Sequence, residues 1–372
     1  MDMTKQNKAF KFRLLPNKKQ EVLLAKTFGC VRFVYNKMLA ERKETYEKFK
    51  DDKETLKKQK FPTPAKYKDE FPFLKEVDSL ALANAQMNLQ KAYKNFFEGN
   101  TEFPKFKNRK AKQSYTTNLV NENIELKDGH IKLPKLKLVK IKQHREIPAD
   151  YKLKSCTISR TKSGKYYVSV LTEYEKEIQS KKIENVVGLD FAMAELYVSS
   201  ENEKANYPRY YRVMSEKLAE AQRILSKRRK GSARWNKQRL VVAKLHEKVA
   251  NQRMNFLHHK SKELASNFDA VVIEDLNMKG MSQALHFGKS VHDNGWGMFT
   301  TFLAYKLKEQ GKQLVKIDRW FPSTKKCSCC DAEKKMFISE RAYQCSCGFV
   351  ADRDYNSAIN IKNEGIRLLA LV

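Results

Sequence analysis

Nowhere in its 372 residues does this chain approach the run of about 18 apolar residues that a membrane span needs. Its opening, Met1 to Phe12, is polar and basic and lacks the apolar centre of a secretory signal. A soluble, cytoplasmic protein is the expectation. No segment repeats at a period of about 20–50 residues, which sets aside solenoids and propellers. The seven histidines offer no H-x-H pair, and His258-His259 reads as a pair that caps or packs a helix. Acids are scarce: 43 Asp and Glu face 74 Lys and Arg, leaving a formal charge of +31.

What is present argues for a folded protein. Hydrophobic residues make up 41% of the chain and aromatics 11%, enough for packed cores rather than a disordered basic tail. The length allows roughly two to three domains. So large a positive charge calls for a polyanion, nucleic acid before an anionic membrane surface. The cations are spread over most of the chain and no basic amphipathic helix stands apart, which favours a long nucleic acid crossing several surfaces.

The hydrophobic period changes twice. A strand is expected at 8–15, where Phe10, Phe12 and Leu14 alternate with cations. Pro16-Asn17 then opens a helix through Val22, Phe28, Val31, Val34 and Leu39, and Asp78-Ser79 opens a second through Leu82, Leu89, Tyr93 and Phe96. From about 115 to 178 the period falls to two, predicting short antiparallel strands that form a small barrel, with the strand at 8–15 completing it. The helical module, 16–113, is then an insertion between 1–15 and 114–180. Beyond 181, apolar strands at 186–191, 268–274 and 313–317 alternate with helices, including one long basic helical region from about 214 to 266. This is an α/β layer.

Asp190 and Glu274 each end a Val/Ile-rich strand, and Asp354 stands near the start of the last helix. Alone, each such acid reads as solvated or as a helix cap. Three in matching contexts within a +31 chain predict a shared divalent-cation site, because clustered carboxylates repel unless neutralised. Two Mg²⁺ ions held this way can activate water and stabilise a leaving 3′ oxygen. Spacing leaves Asp352 and Asp275 as alternatives to Asp354 and Glu274.

Five of the seven cysteines lie between 327 and 347. Cys327-Ser-Cys-Cys330 and Cys345-Ser-Cys347 can supply four thiolates to a tetrahedral, structural Zn²⁺, with a redox thiol cluster as the alternative. The second knuckle is a shortened C-x-C, Asp331 stands where a knuckle usually has Gly, and Cys329 is a rival ligand. Lys105, Lys107, Arg109, Lys110 and Lys112 form one basic cluster. A second, 227–239, holds seven cations and no acid: Lys227, Arg228, Arg229, Lys230, Arg234, Lys237 and Arg239. Either could be a merely solvated face. The overall charge favours contact with phosphates, independent of base sequence.

Val187-Gly-Leu-Asp190, Val272-Ile-Glu-Asp-Leu-Asn-Met278, the split cysteine ribbon and Asp352-Arg-Asp-x-Asn-Ser-Ala-x-Asn360 resemble the TnpB family, the insertion-sequence-associated RNA-guided nucleases related to type V CRISPR effectors. Phe28-Gly-Cys-x-Arg-Phe-x-Tyr-Asn36, Asp293-Asn-Gly-Trp-Gly-Met298 and Trp320-Phe-Pro-Ser323 extend the resemblance over nearly the whole chain. It implies an α+β multidomain protein. A RuvC-like, RNase H-type α/β nuclease domain would span 181–322 and 349–372, with a zinc ribbon inserted at 323–348. A wedge-like β-barrel would span 1–15 and 114–180, interrupted by the helical recognition module. The catalytic acids would be Asp190, Glu274 and Asp354, with Mg²⁺. Arg353 would orient the last carboxylate or touch substrate phosphate. Tyr35, Asn36 and Gln86 lie where a flanking DNA motif could be read. The implied activity is cleavage of double-stranded DNA directed by an element-derived guide RNA, by one copy on one RNA, associated with the bacterial nucleoid when on DNA. A nuclease-inactive, guide-dependent repressor is the alternative, and a strand-transferring transposase a third.

Overall fold

Strict alternation builds the first strand, β1 (Thr4–Leu15): Phe10, Phe12 and Leu14 are buried while Lys11 points to solvent. The computed structural model describes residues 4–110, 112–283, 288–337 and 340–370. They fall into two units, Met1–Lys176 and Glu177–Val372.

In the first unit β1 leads into the 32-residue helix α1 (Lys18–Phe49). Asn17 opens it with a capping box: its Oδ1 accepts from the Gln20 N–H at 2.9 Å, and Gln20 Oε1 accepts from the Asn17 N–H at 3.0 Å. Leu24, Phe28, Val31, Val34, Tyr35, Met38 and Leu39 recur at three- and four-residue spacing and are buried. Burying each such side chain contributes roughly 1.5–3 kcal/mol. Short helices α2 (Lys53–Lys58) and α3 (Tyr67–Glu70) and a 3₁₀ turn at Pro72–Glu76 lead to α4 (Ser79–Phe97), capped by Asp78 and packed through Ala81, Leu82, Ala85 and Leu89.

Six strands follow: β2 (Gln113–Asn118), β3 (Glu125–Lys127), β4 (His130–Leu133), β5 (Lys137–Lys142), β6 (Lys152–Arg160) and β7 (Tyr166–Lys176). With β1 they form one sheet in the order β2-β6-β7-β1-β5-β4-β3. β1 starts earlier than expected and lies in the middle of this ladder, antiparallel to β7 on one side and β5 on the other. It therefore joins the two halves of the sheet rather than closing a rim. Among the described residues β2 and β3 are not paired with each other.

The second unit is a layered α/β structure. Strands β8 (Val186–Ala192), β9 (Leu196–Ser199), β10 (Ala270–Glu274) and β11 (Gln313–Ile317) form a sheet in the order β11-β10-β8-β9, with β10 parallel to both neighbours. Between β9 and β10 lie α5 (Tyr210–Ser226) and α6 (Ala233–Asn267). The single basic helical region expected at 214–266 is thus broken. Gly231 takes a positive φ of 89°, and Ser232 caps α6 by accepting from the Trp235 N–H. After β10 come α7 (Met278–Gln283), α8 (Gly288–Asn294) and α9 (Trp296–Lys308). The chain closes with a hairpin of β12 (Ala342–Gln344) and β13 (Val350–Asp352), and with α10 (Arg353–Ala370).

Helices cover both faces of this sheet. Val187, Leu189, Val271 and Ile273 pack with Leu257, Leu264, Phe299 and Leu303 of α6 and α9. Val272 and Ile317 pack with Ile361 of α10 on the other face. This double burial explains why β10 reads as an unbroken apolar run rather than an alternating one.

Candidate functional site

Parallel pairing aligns two of the acids. Ile273 is opposite Leu189, so the next residues along each strand, Glu274 and Asp190, leave neighbouring strands at the same sheet edge. Side chains alternate along a strand, so Gly188, Asp190, Val272 and Glu274 share the α10 face. Gly188 and Gly365 let the helix come close. A Cβ on Gly188 would meet the Ala358 carbonyl oxygen at 2.2 Å, and one on Gly365 would meet Val272 Cγ2 at 2.3 Å. One turn before Ala358, at the start of α10, stands Asp354.

Asp190 is 7% exposed. Burial holds its carboxyl well above the usual carboxylate range, and the neighbouring charges of Glu274 and Asp354 push it the same way; the Arg353 cation acts in the opposite sense. Burial also raises Glu274, against a hydrogen bond that Ser323 Oγ donates to its Oε1 at 2.6 Å. Asp354 Oδ1 accepts from Arg353 Nε at 3.0 Å and Nη2 at 2.9 Å, while Arg353 Nη1 is anchored on the Glu340 carbonyl. Arg353 therefore orients the last carboxylate.

The alternatives that spacing left open are otherwise engaged. Asp352 Oδ1 accepts from the backbone N–H groups of Asp354 and Tyr355 and so caps α10. Asp275 is exposed and paired with Lys316 at 3.1 Å and Arg319 at 3.0 Å. A cleft of about 680 Å³ is lined by Asp190, Asp352, Arg353 and Asp354, with Arg209, Arg212 and Arg341 among the cations around it. Glu274 does not form part of that lining. Hard carboxylate oxygens around a buried, destabilised Asp190 are a donor set suited to Mg²⁺.

The cysteine cluster forms a tighter site. The Sγ atoms of Cys327, Cys330, Cys345 and Cys347 all lie within 4.8 Å of one another, the one such set of metal-ligating atoms among the described residues. Cys327 and Cys347 are 3.8 Å apart and Cys330 and Cys345 3.5 Å. Tetrahedral zinc with Zn–S bonds of about 2.3 Å needs sulfurs about 3.8 Å apart, so the four thiols fit the ion. Cys329 stands outside the set and is exposed. Asp331 adopts the left-handed conformation, φ 62°, that the knuckle turn requires.

Over 366 residues the chain is 34% identical to a Streptomyces pristinaespiralis protein named "Putative RNA-guided DNA endonuclease", covering 98% of this chain and 90% of that one. It is 30% identical to the Escherichia coli protein "Putative RNA-guided DNA endonuclease InsQ", covering 98% and 94%. The chain belongs to the TnpB family. The profile of a family described as "Probable transposase" matches residues 169–285, and one described as "Cas12f1-like, TNB domain" matches 296–361, which holds the four cysteines of this TnpB-family chain. The fold is similar to that in "Cryo-EM structure of the Cas12f1-sgRNA-target DNA complex", with a TM-score of 0.57, 12% identity, and coverage of 96% of this chain and 99% of that one. A third profile, described as "Helix-turn-helix domain", matches residues 3–51. In this TnpB-family chain that stretch holds β1 and the single long helix α1 instead.

The basic clusters are placed as follows. Lys227, Arg229, Lys230, Arg234 and Arg239 are exposed at the α5–α6 turn and the start of α6, whereas Arg228 donates to the Arg234 carbonyl at 2.7 Å. Arg109 and Lys110 are exposed, Lys105 pairs with Glu102, and Lys107 lies over the Tyr35 ring with its Nζ 3.9 Å from the centroid. Asn36 spends both ends of its amide on the Lys107 backbone, and Tyr35 is buried, so neither is free to read a base edge. Ser323, Asn356 and Asn360 carry contacts that sequence reasoning passed over. For the two asparagines the signal was there, in polar residues at four-residue spacing on the buried side of an amphipathic helix.

Proposed function

We propose that this chain is an RNA-guided DNA endonuclease that cuts double-stranded DNA beside a short flanking motif and thereby supports a transposable element. The observation that supports the reading is that the charges of Glu274 and Asp354, from distant parts of the chain, bear on buried Asp190, whose strand runs parallel to the one that ends in Glu274. A RuvC-like, RNase H-type unit over 181–322 and 349–372, a zinc ribbon over 323–348, and a wedge-like sheet over 1–15 and 114–180 that receives recognition helices over 16–113 are the parts this function needs.

Mg²⁺ bound by the three acids would supply Lewis acidity and a water acidic enough to attack a phosphodiester. The chain's own residues prepare that centre. Burial leaves Asp190 short of solvent, which raises its demand for a cation. Arg353 fixes the Asp354 carboxylate through Oδ1. Arg209, Arg212 and Arg341 line the cleft and would meet the backbone phosphates on either side of the cut. The exposed cations near 105–110 and 227–239 would hold guide and target by charge and shape, leaving sequence to base pairing.

The test uses purified protein carrying its element-derived RNA and a matched plasmid. Wild type is expected to cut only with Mg²⁺. Asp190→Ala is expected to bind RNA and target and leave the plasmid intact; cutting at the wild-type rate by that variant would overturn the assignment. A wild-type protein that binds the target and never cuts it would instead be a guide-dependent repressor.

A further inference from the structure

Two buried asparagines on α10 ligate nothing, yet they make four hydrogen bonds to one segment of chain. Asn356, 0% exposed, accepts from the Ser328 N–H on Oδ1 at 3.0 Å and donates through Nδ2 to the Lys326 carbonyl at 2.8 Å. Asn360, 2% exposed, donates to the Ser323 carbonyl at 2.8 Å and to the same Lys326 carbonyl at 2.7 Å. Helix capping is not their task, since Asp352 already performs it.

The segment they grip, 323–328, has two ends of different chemistry. Lys326 directly precedes Cys327, one of the four clustered thiols. At the other end, buried Ser323 donates its hydroxyl to Glu274. Asp354 lies two residues before Asn356 on the same helix. Hydrogen bonds and the short 323–328 segment therefore link the cysteine knuckle, the asparagine pair, Ser323 and Glu274, and the helix that carries the asparagines also carries Asp354. Buried amides satisfied in this way have few alternative arrangements, because any shift leaves polar groups unpaired in a low-dielectric interior.

We propose that Asn356 and Asn360 are positioning residues that, through Ser323, hold the Glu274 carboxylate in register with Asp190 and Asp354, making the cysteine knuckle and the acid site one rigid element. This rests on the nuclease reading above. Groups that orient a metal ligand are worth about 10–100-fold in metal affinity or activity when removed.

The experiment measures Mn²⁺ binding to the full-length protein–RNA complex by electron paramagnetic resonance, and cleavage as a function of Mg²⁺ concentration. It uses wild type, Ser323→Ala, Ser323→Thr, Asn360→Ala, the Ser323→Ala/Asn360→Ala double variant and Glu274→Gln. Ser323→Ala and Asn360→Ala are each expected to weaken Mn²⁺ binding by about 10–100-fold, with one zinc per chain and RNA affinity unchanged. Ser323→Thr should restore binding, and the double variant should be no worse than the weaker single one, because both act through one segment. Wild-type Mn²⁺ binding by Ser323→Ala, or additive losses in the double variant, would overturn the proposal. Should Asn360→Ala fail to fold, Ser323→Ala, which removes a single hydroxyl, decides alone. If either overturning result appears while Glu274→Gln has lost both metal and cleavage, the nuclease reading stands and only the positioning path falls. If Glu274→Gln binds Mn²⁺ and cuts as wild type does, both fall.

Discussion

A methyl group on Gly188 would stand 2.2 Å from the Ala358 carbonyl oxygen and 2.5 Å from the Lys362 backbone nitrogen. Both are backbone atoms of α10, so no side chain can swing aside to make room. Gly188 lies two residues before Asp190 on the same face of β8, and Ala358 one turn after Asp354 on α10. The contact that lets helix and sheet meet is thus the contact that brings the two acids together. Gly188→Ala must lift α10, at a cost of about 1–3 kcal/mol for overpacking. A displacement near 1 Å at a reacting centre can cost about 100-fold in rate. We expect Gly188→Ala to lower the melting temperature and to cut DNA at least about 100-fold more slowly. Guide-RNA affinity should hold, which a filter-binding titration checks.

Asp190 makes the second prediction. Its carboxyl is held above the ordinary range by burial and by Glu274 and Asp354. The folded state therefore binds this proton more tightly than the unfolded chain does. The stability it contributes is complete below the unfolded pKa and is lost as pH rises through the window up to the raised folded value. Asp190→Asn removes the charge at every pH. Without divalent ions it should melt above wild type at pH 7, with the gap closing near pH 4. Adding Mg²⁺ should reverse the order, since only wild type then gains binding energy. Calorimetry at two pH values, with and without the ion, reads all of this. A wild type that melts higher at pH 7 in chelator would contradict it.

What could be read in advance and what could not follows from the range of the forces involved. Asp190 and Glu274 stood out because a carboxylate at the end of an apolar strand is a local anomaly, and the four clustered thiols because ligand spacing is set by a turn of a few residues. The choice of Asp354 over Asp352 depends on which carboxylate folds back onto the α10 backbone, a matter of side-chain rotamers that spacing does not record. The break between α5 and α6 was passed over because the Lys and Arg run at 227–230 is made of good helix formers, although Gly231 and the capping Ser232 mark the turn. The central place of β1 in its sheet rests on pairing with β5 and β7, more than 100 residues away. The roles of Ser323 and Asn360 depend on contacts spanning 49 and 37 residues in sequence.

The knuckle turn gives a third prediction. Asp331 holds φ 62° and pairs with Lys326 at 3.0 Å, on a carboxylate that is 78% exposed. So exposed a pair contributes at most a fraction of a kcal/mol, whereas the left-handed backbone costs an ordinary residue roughly 1–2 kcal/mol. Asp331→Gly should therefore keep one zinc per chain and resist chelation at least as well as wild type. Asp331→Val should lose zinc at lower chelator concentration. Cys345→Ala should lose it outright and expose 323–352 to protease. Metal analysis and limited proteolysis distinguish the three.

The exposed cations of the α5–α6 turn allow nucleic-acid binding to be tested apart from chemistry. Arg229, Lys230 and Arg234 are exposed there, and the start of α6 is fixed beneath them by buried Gln238, which donates to the Ala221 carbonyl at 3.0 Å. Replacing these three cations with Gln leaves that anchor untouched, so the fold should persist. If each neutralises one phosphate, the slope of log affinity against log salt should fall by about 0.7–0.9 per residue, and affinity at low salt should drop for every sequence alike. Cleavage of target already bound should be unaffected, because no metal-facing group has changed. Arg228→Gln should behave differently: its guanidinium holds the Arg234 carbonyl, so the loss should appear in thermal stability before it appears in the salt slope. An unchanged slope for the triple variant would move the nucleic-acid path away from this turn and leave the 105–110 cluster as the main phosphate contact.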